Sequence, residues 1–107
     1  MNANVAGFEE TLRAGGRLFV LFYASWCPYS QRFLPIYEKC TRDISSPCLQ
    51  VVVDDRDDLC QKYYIEVYPT VLLFEKGIVA DRLDGLPGEG LDERQLKKLL
   101  KRVSEDH

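Results

Sequence analysis

No apolar run in this chain approaches the ~20 residues that a membrane-spanning helix needs; the longest is Leu18 to Ala24. Nor is there an excess of positive charge, since 14 Lys and Arg against 17 Asp and Glu leave a net charge of −3. Nucleic acid and anionic lipid both demand basic surfaces, so neither is an expected partner. Histidine occurs once, as His107 at the last position, which gives no support to a Cys–His protease. The cysteines Cys27, Cys40, Cys48 and Cys60 are separated by 12, 7 and 11 residues and include no closely spaced pair. That spacing argues against a zinc site, and a cluster needing about four thiolates is equally unsupported. No metal or other cofactor is therefore expected. Internal repeats and low-complexity linkers are absent. The opening Met1-Asn2-Ala3-Asn4 lacks the pattern of a secretory leader. A reducing, cytoplasmic location is the expectation, with the cysteines as free thiols rather than a disulfide framework.

What the chain does have is 107 residues of which 46% are hydrophobic, enough core for one domain spanning 1–107. Its most informative stretch is Leu18 to Ser30. The apolar run follows Gly15-Gly16 and reads as a strand buried on both faces. Pro28 suits the first position of a helix, where its missing N–H would be unpaired anyway. Cys27 then falls at the N-cap, facing unpaired N–H groups and the positive end of the helix dipole. Such a position stabilises a thiolate, the nucleophilic form of cysteine. The alternative for Cys27 is a buried structural thiol.

Around this junction the pattern predicts alternating elements. Asn4 is placed to cap a first helix whose apolar face carries Val5, Phe8 and Leu12, with Gly15-Gly16 ending it. A strand Arg17–Tyr23 follows, then a helix from Pro28 to about Ile44 with Phe33, Ile36, Tyr37, Cys40 and Ile44 at helical spacing. Leu49–Val53 reads as a second buried strand, and Asp54–Tyr64 as a polar segment carrying a short helix. Thr70–Phe74 and Ile78–Leu83 form an expected hairpin across Lys76-Gly77. Asp92 opens a last helix with Gln95 as capping-box partner and a stripe of Leu96, Leu99, Leu100 and Val103. This order implies a mixed α/β sheet with helices on both faces.

Trp26-Cys27-Pro28-Tyr29-Ser30 resembles the Trp-Cys-x-x-Cys centre of thioredoxins, with Ser30 where the second cysteine would stand. Pro35 matches the proline of the family's active-site helix, Val67-Tyr68-Pro69-Thr70 its cis-proline loop, Glu75-Lys76-Gly77 its hairpin turn and Gly85 the glycine ending its last strand. The family spacing holds from Phe19 to Gly85. The resemblance implies a thioredoxin-like fold with a central sheet of about four strands. The family's first edge strand is absent or vestigial here, because fewer residues precede the cysteine. Val51-Val52-Val53 would then lie near a sheet edge, covered by the N-terminal residues in a monomer or paired weakly in a dimer.

The resemblance also implies a function in cell redox homeostasis. Cys27 would attack protein or peptide disulfides, with Ser30 beside it, while Trp26, Pro28, Tyr29, Tyr68, Pro69 and Gly85 line the substrate surface. Tyr68 would present its backbone to an extended peptide, the alternative being packing alone; for Pro69 the alternative is an ordinary trans proline. Asp84 would add a charge to the groove. Dithiol exchange needs a second thiol, and Ser30, whose hydroxyl is within reach of hydrogen bonding near the thiolate, cannot form an S–S bond. Cys40 lies thirteen residues along the same helix, about 20 Å away at ~1.5 Å per residue. A disulfide requires Cα atoms within about 7 Å, so Cys40 is excluded. Cys48 and Cys60 map away from the active end of the family fold. The family's buried aspartate and its lysine partner, which serve the second cysteine, fall at Leu21 and Gln50. An external thiol or reductase would therefore have to release the mixed disulfide. Cys-Pro-Tyr also occurs in glutaredoxins, but Leu83-Asp84-Gly85-Leu86-Pro87 does not reproduce their glutathione site. Two alternatives share these residues: a binding module without redox turnover, and a dithiol oxidoreductase carrying an engineered cysteine-to-serine change at Ser30.

Overall fold

The computed structural model describes residues 5–104. Asn4 and His107 lie outside the described residues, as do the side chains of Val5 and Val103. The order is α1 (Val5–Arg13), β1 (Leu18–Tyr23), α2 (Pro28–Thr41), β2 (Cys48–Val52), α3 (Asp57–Lys62), β3 (Thr70–Glu75), β4 (Ile78–Asp84) and α4 (Glu93–Ser104). The strands lie in the order β2-β1-β3-β4. β1 pairs with β2 in parallel through the α2 crossover and with β3 antiparallel, while β3 and β4 form the hairpin. This is a thioredoxin-like α/β fold with a four-stranded mixed sheet flanked by helices.

Alternation along β1 builds two cores at once, since successive side chains leave a strand on opposite faces. Leu18, Val20 and Phe22 join Phe8 of α1, Leu59 of α3, and Leu72 and Phe74 of β3. Phe19 and Leu21 point the other way, toward Phe33 and Tyr37 of α2 and Leu96 and Leu99 of α4. A strand with both faces covered carries no polar residue, which is why Leu18–Tyr23 is an unbroken apolar run. Tyr37 buries its ring in the second core and satisfies its hydroxyl by donating to the Leu49 carbonyl at 3.0 Å, tying α2 to β2.

Local chemistry sets the element ends. At the hairpin, Lys76 and Gly77 both adopt positive φ, 55° and 79°, the geometry whose twist matches paired strands. The Asp92 carboxylate accepts from the Gln95 N–H at 2.9 Å and the Gln95 side chain accepts from the Asp92 N–H at 2.8 Å, a reciprocal cap on α4. Pro35 sits inside α2, where it cannot donate to the preceding turn. That helix stops at Thr41 rather than near Ile44. The Thr41 hydroxyl donates back to the Tyr37 carbonyl at 2.7 Å, and a turn from Thr41 to Ile44 follows. Ile44 keeps its place against the second core from that turn. Its apolar spacing reported a contact and not a further helical turn.

β2 stands at the sheet edge among the described strands, with Val52 exposed. Its N-terminal end, at Cys48, lies beside Phe19, and its C-terminal end, at Val52, beside Tyr23. Parallel pairing therefore brings the chain leaving β2 next to the chain leaving β1, the end of the sheet where Cys27 lies.

Candidate active site

Cys27 occupies the N-cap of α2, with φ −85° and ψ 121°, and Pro28 begins the helix. The thiol makes no capping hydrogen bond, and the residue is 6% exposed. The segment before it is clamped. Asp54, just beyond β2, accepts from the Ser25 N–H at 2.8 Å and from the Ser25 hydroxyl, and the Gln31 amide donates to the Ser25 carbonyl at 2.8 Å. These bonds hold the Asp54 carboxyl below the usual carboxylate range, the Ser25 hydroxyl contributing most. Sequence reasoning missed Ser25, Asp54 and Gln31. The available signal was topological: loops at the carboxyl ends of adjacent parallel strands converge.

Ser30 is fully buried one helical turn along, and its hydroxyl has a bond of its own to the end of β1. It accepts a hydrogen bond from the Ala24 N–H at 3.3 Å. The reason is that Ala24 leaves β1 with a buried donor to satisfy, and a buried amide without a partner is costly.

Opposite Cys27 lies the loop before β3. The Tyr68–Pro69 peptide is cis, and the Tyr68 carbonyl oxygen stands 4.0 Å from the Cys27 sulfur. Trp26, 67% exposed, meets the Tyr68 ring edge-on, with centroids 5.9 Å apart and planes at 82°. Pro69 is anchored from behind, its carbonyl accepting from the Gly85 N–H at 2.9 Å. Pro28 is exposed, whereas Tyr29 is half-buried beneath the Arg32 guanidinium, 5.5 Å from its ring centre. Arg32 in turn donates to the Glu89 carbonyl. The structure thus brings Trp26, Cys27, Tyr68, Pro69 and Gly85 together, with Cys27, Pro69 and Gly85 buried and Pro28 and Tyr29 on the adjoining helix turn.

Asp84 does not offer a free charge to this groove. Arg82, two residues back on the same strand face, holds both its carboxylate oxygens at 2.8 and 3.0 Å. The same guanidinium donates to the Tyr63 and Tyr64 carbonyls at 3.1 Å, closing the end of α3. Alternation put Arg82 and Asp84 on one face, a signal present in the sequence.

The other thiols fall into two kinds. Cys40 packs in the last turns of α2, where burial and the Glu93 charge push its thiol up. Burial pushes Cys48, at the far end of β2, up to about 11. Both stay protonated at neutral pH, and a thiol is a poor nucleophile. Cys60 meets the tip of a site side chain, its sulfur 3.5 Å from the Tyr68 hydroxyl. The short helix α3 follows the chain leaving β2 and places Cys60 against the Tyr68 side chain. Among the described residues no group of three or more His, Cys, Asp or Glu side chains is disposed to hold a metal ion.

The sequence matches the thioredoxin family profile over residues 1–102. The chain belongs to the thioredoxin family. It is 31% identical to a thioredoxin of Mycoplasmoides gallisepticum over 99 residues, which are 92% of this chain and 95% of that one. It is also 31% identical over 88 residues to protein disulfide-isomerase A5 of Bos taurus, matching 77% of this chain and 17% of the isomerase. It therefore corresponds to nearly all of the thioredoxin and to a small part of the isomerase. A solved thioredoxin structure from Plasmodium falciparum aligns with a TM-score of 0.81 at 25% identity, over 94% of this chain and 96% of the other.

Within this thioredoxin fold, Leu21 and Gln50 stand side by side in the β1–β2 register. Leu21 packs in the apolar core, and the buried Gln50 amide donates to the Glu38 carboxylate at 3.2 Å. Neither side chain ionises. A proton leaving or reaching the position of Ser30 has no acid or base at this pair.

Proposed function

We propose that this thioredoxin-family chain carries out thiol–disulfide exchange through Cys27 as its single active-site nucleophile, toward protein or peptide disulfides. The observation that carries the reading is the pairing of a helix N-cap cysteine with Ser30 in place of a second thiol. The Cys27 thiolate attacks one sulfur of the substrate disulfide. A Cys27–substrate S–S bond forms, and the other substrate sulfur leaves as a thiolate that takes up a proton from water. An external thiolate, from a low-molecular-weight thiol or a reductase, then attacks the substrate-side sulfur of the mixed disulfide. It becomes disulfide-bonded to the substrate and frees Cys27 as thiolate. Such turnover suits a thiol-rich compartment such as the cytoplasm and a role in redox homeostasis.

Trp26, Pro28, Tyr29, Tyr68, Pro69 and Gly85 would receive the substrate strand, with the Tyr68 backbone as its hydrogen-bonding edge. The test is incubation with a disulfide-bonded peptide, followed by non-reducing electrophoresis with and without glutathione. An adduct that requires Cys27 and disappears on adding thiol is the expected result. Labelling spread equally over Cys40, Cys48 and Cys60 would overturn it. A second reading, a protein-binding module without turnover, draws on the burial of Cys27, whose sulfur presents little open surface. The same gel separates the two, because a module binds the peptide without a covalent adduct.

A further inference from the structure

We infer that Cys60 is a positioning residue for the Cys27 site, acting through Tyr68: its sulfur holds the Tyr68 hydroxyl, and the Tyr68 ring in turn sets Trp26, the residue before the nucleophile. The inference rests on the exchange function proposed above.

Tyr68 is held at three points. Its hydroxyl meets Cys60 at 3.5 Å, its ring meets Trp26 edge-on at 5.9 Å, and its carbonyl oxygen faces the Cys27 sulfur at 4.0 Å. The two backbone neighbours are independently fixed, since buried Pro69 is bonded to Gly85 and the Thr70 hydroxyl donates to the Val67 carbonyl at 2.8 Å. What those backbone anchors leave undetermined is the direction of the Tyr68 ring. Cys60 is the polar contact that selects it.

A surface hollow of about 420 Å³, lined by Asp57, Cys60, Gln61, Tyr64, Ile65 and Glu66, opens beside Cys60. Without the sulfur, the Tyr68 ring keeps its packing against the first core but loses the polar contact that fixes its hydroxyl end, and with it the edge it presents to Trp26. The Tyr68 phenol is pushed up to about 12, first by its bond with Cys60 and then by burial, so it stays protonated and competent to hydrogen-bond across the neutral range. Cys60 needs no reactivity of its own. A thiol serves here as a small polarisable group that fits under a phenol oxygen.

Trp26 is the only tryptophan in the chain, so its fluorescence reports this contact directly. The experiment compares the full-length protein with Cys60→Ala, Cys60→Ser, Tyr68→Phe and the Cys60→Ala/Tyr68→Phe double variant. Three quantities are read: Trp26 emission, the initial rate of mixed-disulfide formation between Cys27 and insulin, and the initial rate of Cys27 alkylation by iodoacetamide, mapped by mass spectrometry. Loss of one weak hydrogen bond should slow the insulin reaction about two- to fivefold in Cys60→Ala and in Tyr68→Phe. The double variant should be no slower than either single, because both remove the same contact. Cys60→Ser should retain most of the rate, and alkylation of Cys27 should change little throughout. Additive losses in the double variant, an unshifted Trp26 emission in Cys60→Ala, or a serine variant as slow as the alanine one would each overturn the inference. Tyr68→Phe removes only the hydroxyl, so the comparison survives if Cys60→Ala folds poorly. Failure of the wild-type protein to form any insulin adduct would sink the exchange function instead, while Trp26 emission still reads the Cys60–Tyr68 contact.

Discussion

A Cβ placed on Gly85 would stand 2.8 Å from the Pro69 carbonyl oxygen and 3.3 Å from that of Tyr68. Gly85 has no positive φ to accommodate; it is glycine because β4 ends against the backbone that faces Cys27. Gly85→Ala must therefore push the Tyr68–Pro69 segment outward. The expected cost is about 1–3 kcal/mol, the usual range for overpacking, with slower adduct formation at Cys27. Urea unfolding midpoints and the electrophoretic adduct assay measure the two effects. Unchanged stability would mean the loop yields freely.

Ser30 serves the fold as well as occupying the position of a second thiol. Ser30→Ala leaves the Ala24 N–H buried without its acceptor. Destabilisation of about 1–3 kcal/mol is expected for such an orphaned group, with the Cys27 adduct still forming. Chemical denaturation together with the adduct assay checks this. Loss of the adduct in a folded Ser30→Ala protein would give the hydroxyl a chemical role that its bond to Ala24 does not suggest.

Ser30→Cys should permit an internal disulfide with Cys27, one helical turn away. Insulin reduction driven by dithiothreitol should recover only in part. Leu21 and Gln50 offer no ionisable group where an acid–base partner would act, and such partners contribute ~10²–10⁴-fold where they matter. Full thioredoxin-like reduction in this single variant would refute the link between those two positions and the missing thiol. It would also favour the reading in which serine replaced a native cysteine.

Two exposed carboxylates on the chain after β2 make stability depend on acid pH. The Arg56 guanidinium holds Asp58 at about 2, below its ordinary 3.8, and the Ser25 bonds lower Asp54. Folded-state values below unfolded ones mean that the stabilisation is present above the unfolded value and lost as pH falls through the folded one. Unfolding free energy should therefore decline between about pH 4 and pH 2. Asp58→Asn should flatten that limb, and the difference should shrink in high salt because the Arg56 pair is at the surface. Denaturation curves across this range, with and without salt, measure it. An Asp58→Asn curve parallel to wild type would rule out the pair as a contributor.

Much of the architecture was legible because it follows from short-range rules. An apolar run with no polar partner marked β1 as covered on both faces, and Lys76-Gly77 marked the hairpin through a backbone conformation that glycine favours. Asp92 and Gln95 announced the cap of α4 by their spacing alone. Ile44 shows the limit. Its periodicity extended α2 on paper, but a residue in a turn can reach the same core, so spacing could not separate helix from contact. The Arg82–Asp84 pair was readable from strand alternation, which places residues two apart on one face.

The residues that finish the site belong to another class. Ser25 and Asp54 lie 29 positions apart, Cys60 and Tyr68 come from different elements, and Gly85 meets Pro69 across the β3–β4 pairing. By itself the sequence determined the order and type of the elements, the N-cap position of Cys27 and the serine one turn beyond it, since each depends on side chains within a few residues. The tertiary structure alone decided that the Ser30 hydroxyl turns to Ala24, that Asp84 is already paired and that Cys60 stands under Tyr68. Hydrophobic patterning specifies which face of a strand or helix is buried. It does not specify which atom of a distant segment will stand opposite a given polar group, because that depends on strand register and on where each crossover returns the chain.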